Sequence, residues 1–428
     1  MRAVKRGSRS GNTRFWCHAC KRWFTKSSQP ARNHHDQVLN DHLDGISYRK
    51  LVARYGLGRT VLCEIVNHET EQLQPHIAIT KQFFPACAYS GAHIVDGKYI
   101  PVKEVVRMTP HGKIPRSWKR RKVKRGMVLI WGADYGTHDL LHHEFGLSEN
   151  VFLFGNYFRT LKELGYQMKS CTIDDKKELF DAILAYYPQC IIQLCIRHYL
   201  AKISKISGIK HVIVKINSYE RRLNRLFPNK DIDRIPPSRQ YALARAIRYA
   251  NAVADLEFQY ELLVEFYHAV IAVLCADTHA VALRRIESLE RYFLPKAKRL
   301  PYPSAHVRIV DELFKDLKTN QEYLLNYLKY PHMHIPSTTN LVEGYNSQLE
   351  NRLASIRGFE SEITARNYVN AWILKRRFTK FECCKKPFKH LNGKTPLECA
   401  GADISKVTDW ISFCRKRPLG KSAIKSAN

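Results

Sequence analysis

The spacing of apolar positions divides the chain into stretches of different period. Over residues 36–72 the period is helical. Apolar residues recur at helical intervals over 36–43, and Gly45 interrupts the run. Ser47 then stands where an N-cap should, and 48–55 carries an apolar face at Tyr48, Leu51, Val52 and Tyr55. Gly56-Leu57-Gly58 supplies a tight turn. A further helix starts at Arg59, with Val61, Leu62, Ile65 and Val66 apolar. Helix, glycine turn, helix is a helix-turn-helix pattern. The second helix of that motif enters the DNA major groove, which places Arg59, Thr60 and Glu64 on its outward side.

From residue 92 the period changes. Strands are predicted over 92–100, 127–135 and 138–145, then a helix over 150–164. A strand over 166–173, a helix over 176–187 and a short apolar strand over 190–194 follow. The order β-β-β-α-β-α-β is the topology of a ribonuclease H-like domain, an α/β arrangement. Residues 196–332 are helical almost throughout, with long apolar periodicity over 241–277, 278–293 and 307–330. Such a block reads as an all-helical insertion. After it, Ser337, Thr338 and Thr339 are candidate caps for a helix whose first turns hold Glu343.

These patterns divide the chain into a basic arm (1–35), a helix-turn-helix domain (36–80), a ribonuclease H-like core in two pieces (90–198 and 337–375), an insertion (199–336) and a basic C-terminal tail (376–428). No repeat of 20–50 residues is visible, so a solenoid is not supported.

Charge narrows the function. Seventy Lys and Arg face 39 Asp and Glu, a net +31. A folded chain this positive repels itself unless an anionic partner offsets it, and nucleic acid gains affinity from each neutralised phosphate. The apolar runs are too short to span a bilayer, and the N-terminus lacks an apolar secretory core, so a cytoplasmic protein is expected. Arg116, Lys119, Arg120, Arg121 and Lys122 lie in a run, 116–125, in which seven of ten residues are basic. That run is either a solvated loop or a phosphate-tracking segment, with Trp118 offering a stacking surface.

The twelve Cys are scattered, as expected for thiols in a reducing compartment. Cys17 and Cys20, followed by Trp23 and Phe24, look like one knuckle of a zinc ribbon. Zinc needs four ligands. His34 and His35 are loose candidates for the rest, a lost upstream knuckle is an alternative, and two unliganded thiols is another.

Three acids stand out. Asp96 lies on an otherwise apolar strand, which is costly unless the carboxylate is paired or binds a cation. Asp174 ends a strand that this topology sets beside the first. Two carboxylates brought together repel, and a divalent ion resolves the conflict. Glu343 offers a third oxygen. Such ligands suit Mg2+ or Mn2+ rather than zinc, and two ions of this kind perform in-line phosphoryl transfer.

Ile94-Val95-Asp96-Gly97, Thr172-Ile173-Asp174-Asp175, Gln193-Leu194-Cys195-Ile196-Arg197-His198 and Thr338 to Asn346 around Glu343 resemble the motifs of DDE transposases, in particular the Mutator-like type of bacterial insertion sequences. The tail segment Asn392-Gly393-Lys394-Thr395-Pro396-Leu397 is also similar. The resemblance covers roughly residues 36–400. It implies Asp96, Asp174 and Glu343 as catalytic carboxylates binding two Mg2+ ions, and Cys195 and His198 as auxiliary residues that orient the metal site or the substrate strand; a purely structural role for that pair stands beside it. Where the family often has Asp-Gly at the second acid, this chain has Asp174-Asp175, so the choice of Asp174 stays open at this point. The resemblance further implies double-stranded DNA as partner, both element ends and target. It implies a homodimer or larger assembly on DNA, and a nucleoid-associated protein of a bacterial host.

Overall fold

The computed structural model describes residues 3–9, 12–17, 22–25, 32–106, 125–226, 240–299, 303–356 and 358–416. The basic run at Arg116, Lys119, Arg120, Arg121 and Lys122 lies outside these residues, as does Cys20; of Cys17 only the backbone is described.

In chain order the elements begin with strands β1 (Ala3–Arg9), β2 (Asn12–Cys17) and β3 (Arg22–Thr25). Helices α1 (Arg32–Leu43), α2 (Tyr48–Tyr55), α3 (Arg59–Glu71) and α4 (His76–Phe83) follow. Next come β4 (Ala92–Val106), β5 (Arg125–Asp134), β6 (Leu140–Gly146), α5 (Val151–Glu163), β7 (Ser170–Ile173), α6 (Lys177–Tyr186) and β8 (Ile191–Leu194). A helical series occupies the next stretch: α7 (Ile196–Ser207), α8 (Ile209–Leu226), α9 (Gln240–Leu274), α10 (His279–Lys298), α11 (Pro303–Leu324) and α12 (Asn326–Lys329). The chain ends with α13 (Asn340–Ile356), α14 (Glu362–Phe378), α15 (Pro396–Cys399) and α16 (Trp410–Cys414).

The chain forms two compact units. The first comprises 1–87, 99–128 and 346–428. Its N-terminal stretch is not the irregular arm expected from composition: β1, β2 and β3 pair antiparallel into a three-stranded sheet. Helices α1 to α3 bury Val38, Leu39, Leu43, Leu51, Leu62, Ile65 and Val66. Gly56 ends α2 with φ +65°, a conformation that a Cβ would strain, and its amide donates to the Val52 carbonyl. Arg59, Thr60 and Glu64 are exposed on α3, and so is Val61, which periodicity alone had placed inward.

The described part of the expected C-terminal tail is not a free tail. Helix α14 carries the fully buried Arg377, which donates to Thr80 Oγ1 at 2.6 Å. Asn370 accepts from the His76 amide at 2.7 Å and donates to the Gln74 carbonyl at 2.9 Å. Arg415 pairs with Glu69 at 2.7 Å and also with Asp36. The last helices therefore pack onto the first ones, across more than 290 residues of sequence.

The second unit comprises 88–98 and 129–345. Its sheet has the order β6-β5-β4-β7-β8, the ribonuclease H-like order in which the first strand of the domain lies at the centre. β4 and β7 are parallel, with Ile94 opposite Thr172, and β7 and β8 are parallel, with Thr172 opposite Gln193. Ile94, Leu129, Ile130, Trp131, Tyr157, Phe158, Leu161 and Ile173 form the core at the sheet. β7 is shorter than periodicity suggests. Gly165 turns the chain at φ +88°, and Tyr166 is drawn off to donate to Asp134 Oδ1 at 2.9 Å. β8 is the edge of the sheet, and its polar groups are taken up by the helical segment. Gln193 donates to the Leu324 carbonyl and Asn326 to the Ile192 carbonyl, which covers the edge. Helices α7 to α12 separate β8 from α13. No helix among the described residues is long and apolar enough to cross a membrane.

Candidate active site

Strand register brings the first two acids together. With Ile94 facing Thr172, two further residues along each parallel strand set Asp96 beside Asp174 on one face. The third acid arrives by a chain of hydrogen bonds at the same strand ends. Thr172 Oγ1 donates to the Pro336 carbonyl at 2.6 Å, and the Ile196 amide donates to the Ser337 carbonyl at 3.0 Å. The Thr339 amide donates to Cys195 Sγ at 3.4 Å, and the Thr339 hydroxyl oxygen lies 3.2 Å from the same sulfur. Segment 336–339 is thus fixed across β7 and the start of α7. It launches α13 so that Glu343 projects from the helix's first turn.

Two of the three acids meet at one imidazole. His198 Nδ1 lies 2.5 Å from Asp174 Oδ1 and 3.9 Å from Glu343 Oε1. Glu343 Oε1 accepts from Thr339 Oγ1 at 2.8 Å, and its Oε2 pairs with Arg197 at 3.1 Å. Arg197 also donates to Asn340 Oδ1 at 2.7 Å. Asp96 Oδ1 accepts from the Gly97 amide at 2.7 Å.

Electrostatics follow from this crowding. Burial and the neighbouring Asp174 push the Asp96 carboxyl up to about 6, against the pull of the Gly97 amide, Lys176 and His198. Hydrogen bonding to Asp174 and Cys195 raises His198 to about 10, so the ring is an imidazolium at neutral pH. Burial alone would raise the Cys195 thiol, but hydrogen bonds from His198 and Thr339 outweigh it and lower its pKa. In the metal-free protein the imidazolium thus supplies positive charge between the carboxylates.

The adjacent acid is engaged elsewhere. Asp175 pairs with Lys202 at 2.6 Å, and Lys202 also holds Asp316 at 2.7 Å. Of the two neighbours, Asp174 is the one that faces Asp96 and His198. The donor set Asp96, Asp174 and Glu343 is all hard oxygen, and burial together with the neighbouring Asp174 disfavours a bare carboxylate at Asp96. These residues fit a divalent ion of the Mg2+ or Mn2+ class.

Several residues of this neighbourhood carry no signal in periodicity. Lys176 pairs with Glu149 at 2.7 Å and feels the charges of Asp174 and Asp96. A Cβ at Gly97 would lie 2.2 Å from Glu149 Oε1, so only glycine lets that carboxylate approach the strand. Thr339 and Arg197 stand within quoted motifs, but nothing in their spacing indicates that they hold Glu343. The exposed Arg59 and Thr60 belong to the first unit, and none of these catalytic candidates does.

No protein-family model and no curated protein matches the sequence. Among solved structures, the chain is similar to the Drosophila P element transposase strand transfer complex. The TM-score is 0.40 at 11% identity, over 82% of this chain and 94% of that one.

Proposed function

We propose that the protein is a DDE transposase of the Mutator-like type, which binds the ends of its own mobile element and catalyses DNA cleavage and strand transfer. The observation that carries this reading is that strand register sets Asp96 beside Asp174 on adjacent strands of a ribonuclease H-like sheet, while Asp174 and Glu343, the latter on the helix after an all-helical segment, meet at His198.

Asp96, Asp174 and Glu343 would hold the divalent ions. When bound, these activate the attacking oxygen and stabilise the leaving oxygen of an in-line phosphoryl transfer. The chain's own residues prepare that site. Thr339 and Arg197 fix the two oxygens of Glu343, and His198 holds Asp174. Lys176 takes the charge of Glu149 and keeps it from adding to the repulsion at Asp96. The same carboxylates serve hydrolysis by water and attack by a DNA 3′-OH, so no covalent protein–DNA intermediate is required. Arg59 and Thr60 on α3 would read the element ends, and the basic run 116–125 would track phosphates. Two ends require two active sites, so the working assembly on DNA contains at least two copies.

The test is a strand-joining assay on DNA flanking the gene, with Mg2+ or EDTA, comparing the protein with Asp96→Ala. Joined product that requires both Mg2+ and Asp96 is the expected result. Hydrolysis without joining would make the protein a nuclease of this fold. Binding with neither would make it an element-derived regulator.

A further inference from the structure

Beside the hard-oxygen acids lies a donor set of different chemistry. Asp174, Cys195 and His198 each offer a ligand atom, and these atoms all lie within 4.8 Å of one another. It is the single group of this kind among the described residues. Cys195 leads directly into α7 and His198 lies in that helix's first turn, so one backbone feature sets the sulfur and the ring together. Asp174 comes from the end of β7, whose Ile173 carbonyl accepts the Cys195 amide at 2.8 Å.

We propose that Asp174, Cys195 and His198 form a transition-metal site of the zinc class, distinct in its ligands from the Asp96, Asp174 and Glu343 set and sharing only Asp174 with it.

Four features support this. A thiolate and an imidazole select Zn2+ over Mg2+ by softness. Three protein ligands with a fourth position open is the arrangement of an accessible zinc site. Cys195 Sγ is oriented by the Thr339 amide, which donates to it at 3.4 Å, as outer-shell hydrogen bonds orient metal ligands. Asp174 Oδ1 is buried and lies 2.5 Å from His198 Nδ1. The two atoms face the same small space. Tetrahedral coordination with bonds of about 2.0–2.3 Å separates ligand atoms by roughly 3.3–3.8 Å. The ring and the carboxylate must therefore part by about 1 Å, which the half-exposed His198 can do by rotation. If the cleavage activity proposed above holds, Zn2+ here withdraws Asp174 from the hard-oxygen set and suppresses the Mg2+-dependent reaction.

The experiment is a Co2+ titration of the full chain, read by absorbance. The expected result is a near-ultraviolet thiolate-to-cobalt band with tetrahedral visible bands, displaced by Zn2+ and not by millimolar Mg2+. Cys195→Ser should lose one equivalent of that signal. His198→Asn, at a half-exposed position, should weaken Co2+ binding by more than about 10-fold, since a ligand counts for more than an outer-shell partner. Far-UV circular dichroism establishes that both variants are folded. Absence of the band, or a band unchanged in Cys195→Ser and therefore arising from other thiols such as Cys17 and Cys20, overturns the proposal. If Cys195→Ser fails to fold, an unchanged Co2+ affinity in His198→Asn overturns it instead. The readout needs no DNA. A catalytically inert protein that binds Co2+ through Cys195 keeps the site and loses the transposase reading. An active protein without the band does the reverse.

Discussion

A carboxylate buried beside another carboxylate needs either a proton or a cation, and Asp96 is in that position. Its folded-state pKa of about 6 lies above the usual 3.8, with burial the larger cause and Asp174 the next. The native state therefore holds this proton more tightly than the unfolded chain does. The stabilisation is complete below about pH 4 and is lost as pH rises through about 6. A divalent ion replaces the proton only above that range. Thermal melts with Mg2+ and with EDTA should then differ at pH 7 and coincide at pH 5, and the difference should vanish in Asp96→Asn. A Mg2+-dependent shift of equal size at pH 5 would place the ion elsewhere. Glu343 presents a complementary case. Its two oxygens are held by Thr339 and Arg197, so Glu343→Gln keeps size and shape while removing charge. Cleavage should fall at least about 100-fold, roughly the loss attached to one preorganised electrostatic group. DNA affinity in gel-shift titrations should stay within about twofold. Cleavage at the parental rate would remove Glu343 from the site.

At the scale of elements, what the sequence made legible depends on how local the determinants are. Helices α2 and α3 could be read because their apolar faces and the Gly56 turn are written within two dozen residues. The order of strands around Asp96 and Asp174 could be read because buried parallel strands are nearly continuous apolar runs. β7 was overextended because Tyr166 and Met168 are apolar and buried without being in a strand. β1 to β3 were missed because short basic strands carry no clean alternation. The docking of α14 and α16 onto α1, α3 and α4 was missed because its determinants lie at opposite ends of the chain. Asp36 and Glu69 meet Arg415, and Asn40 accepts from Trp410 at 2.9 Å. Asp96 and Asp174 stand out in the sequence as acids in or at the end of apolar strands. The residues that hold Glu343 do not, because Thr339 acts through a contact with Cys195, 144 positions away. One prediction belongs to α3. Its exposed Arg59 makes no contact that the buried face requires, so Arg59→Ala should leave the fold intact. If Arg59 reads a base edge, specific binding weakens by about 1–3 kcal/mol at that base while non-specific binding changes little. Binding isotherms on end DNA and on scrambled DNA separate this from a phosphate contact, which weakens both alike.

At the scale of the whole molecule the dominant quantity is a net charge of +31, and it makes a demand that no single contact expresses. Charge on this scale favours any polyanion, so affinity alone does not identify the partner. Its salt dependence is more informative, because each phosphate neutralised on duplex DNA contributes about −0.9 to the slope of log affinity against log salt. A footprint of about 6–10 phosphates should lower affinity by roughly 10³–10⁵ between 50 and 200 mM salt. The run 116–125 can then be weighed directly. Replacing Arg116, Lys119, Arg120, Arg121 and Lys122 with Gln removes five charges outside the described residues. If every one of them meets a phosphate, the slope becomes shallower by about 4–5. If the run is a solvated loop, the slope is unchanged and only a small, uniform loss of long-range attraction is seen. Fluorescence anisotropy on end DNA and on random duplex, each at four or more salt concentrations, gives both numbers. A ratio of specific to non-specific affinity that stays constant as the slope falls would assign sequence reading to α3 and anchoring to the basic run. A ratio that collapses with the slope would mean that the run itself carries the recognition of the ends.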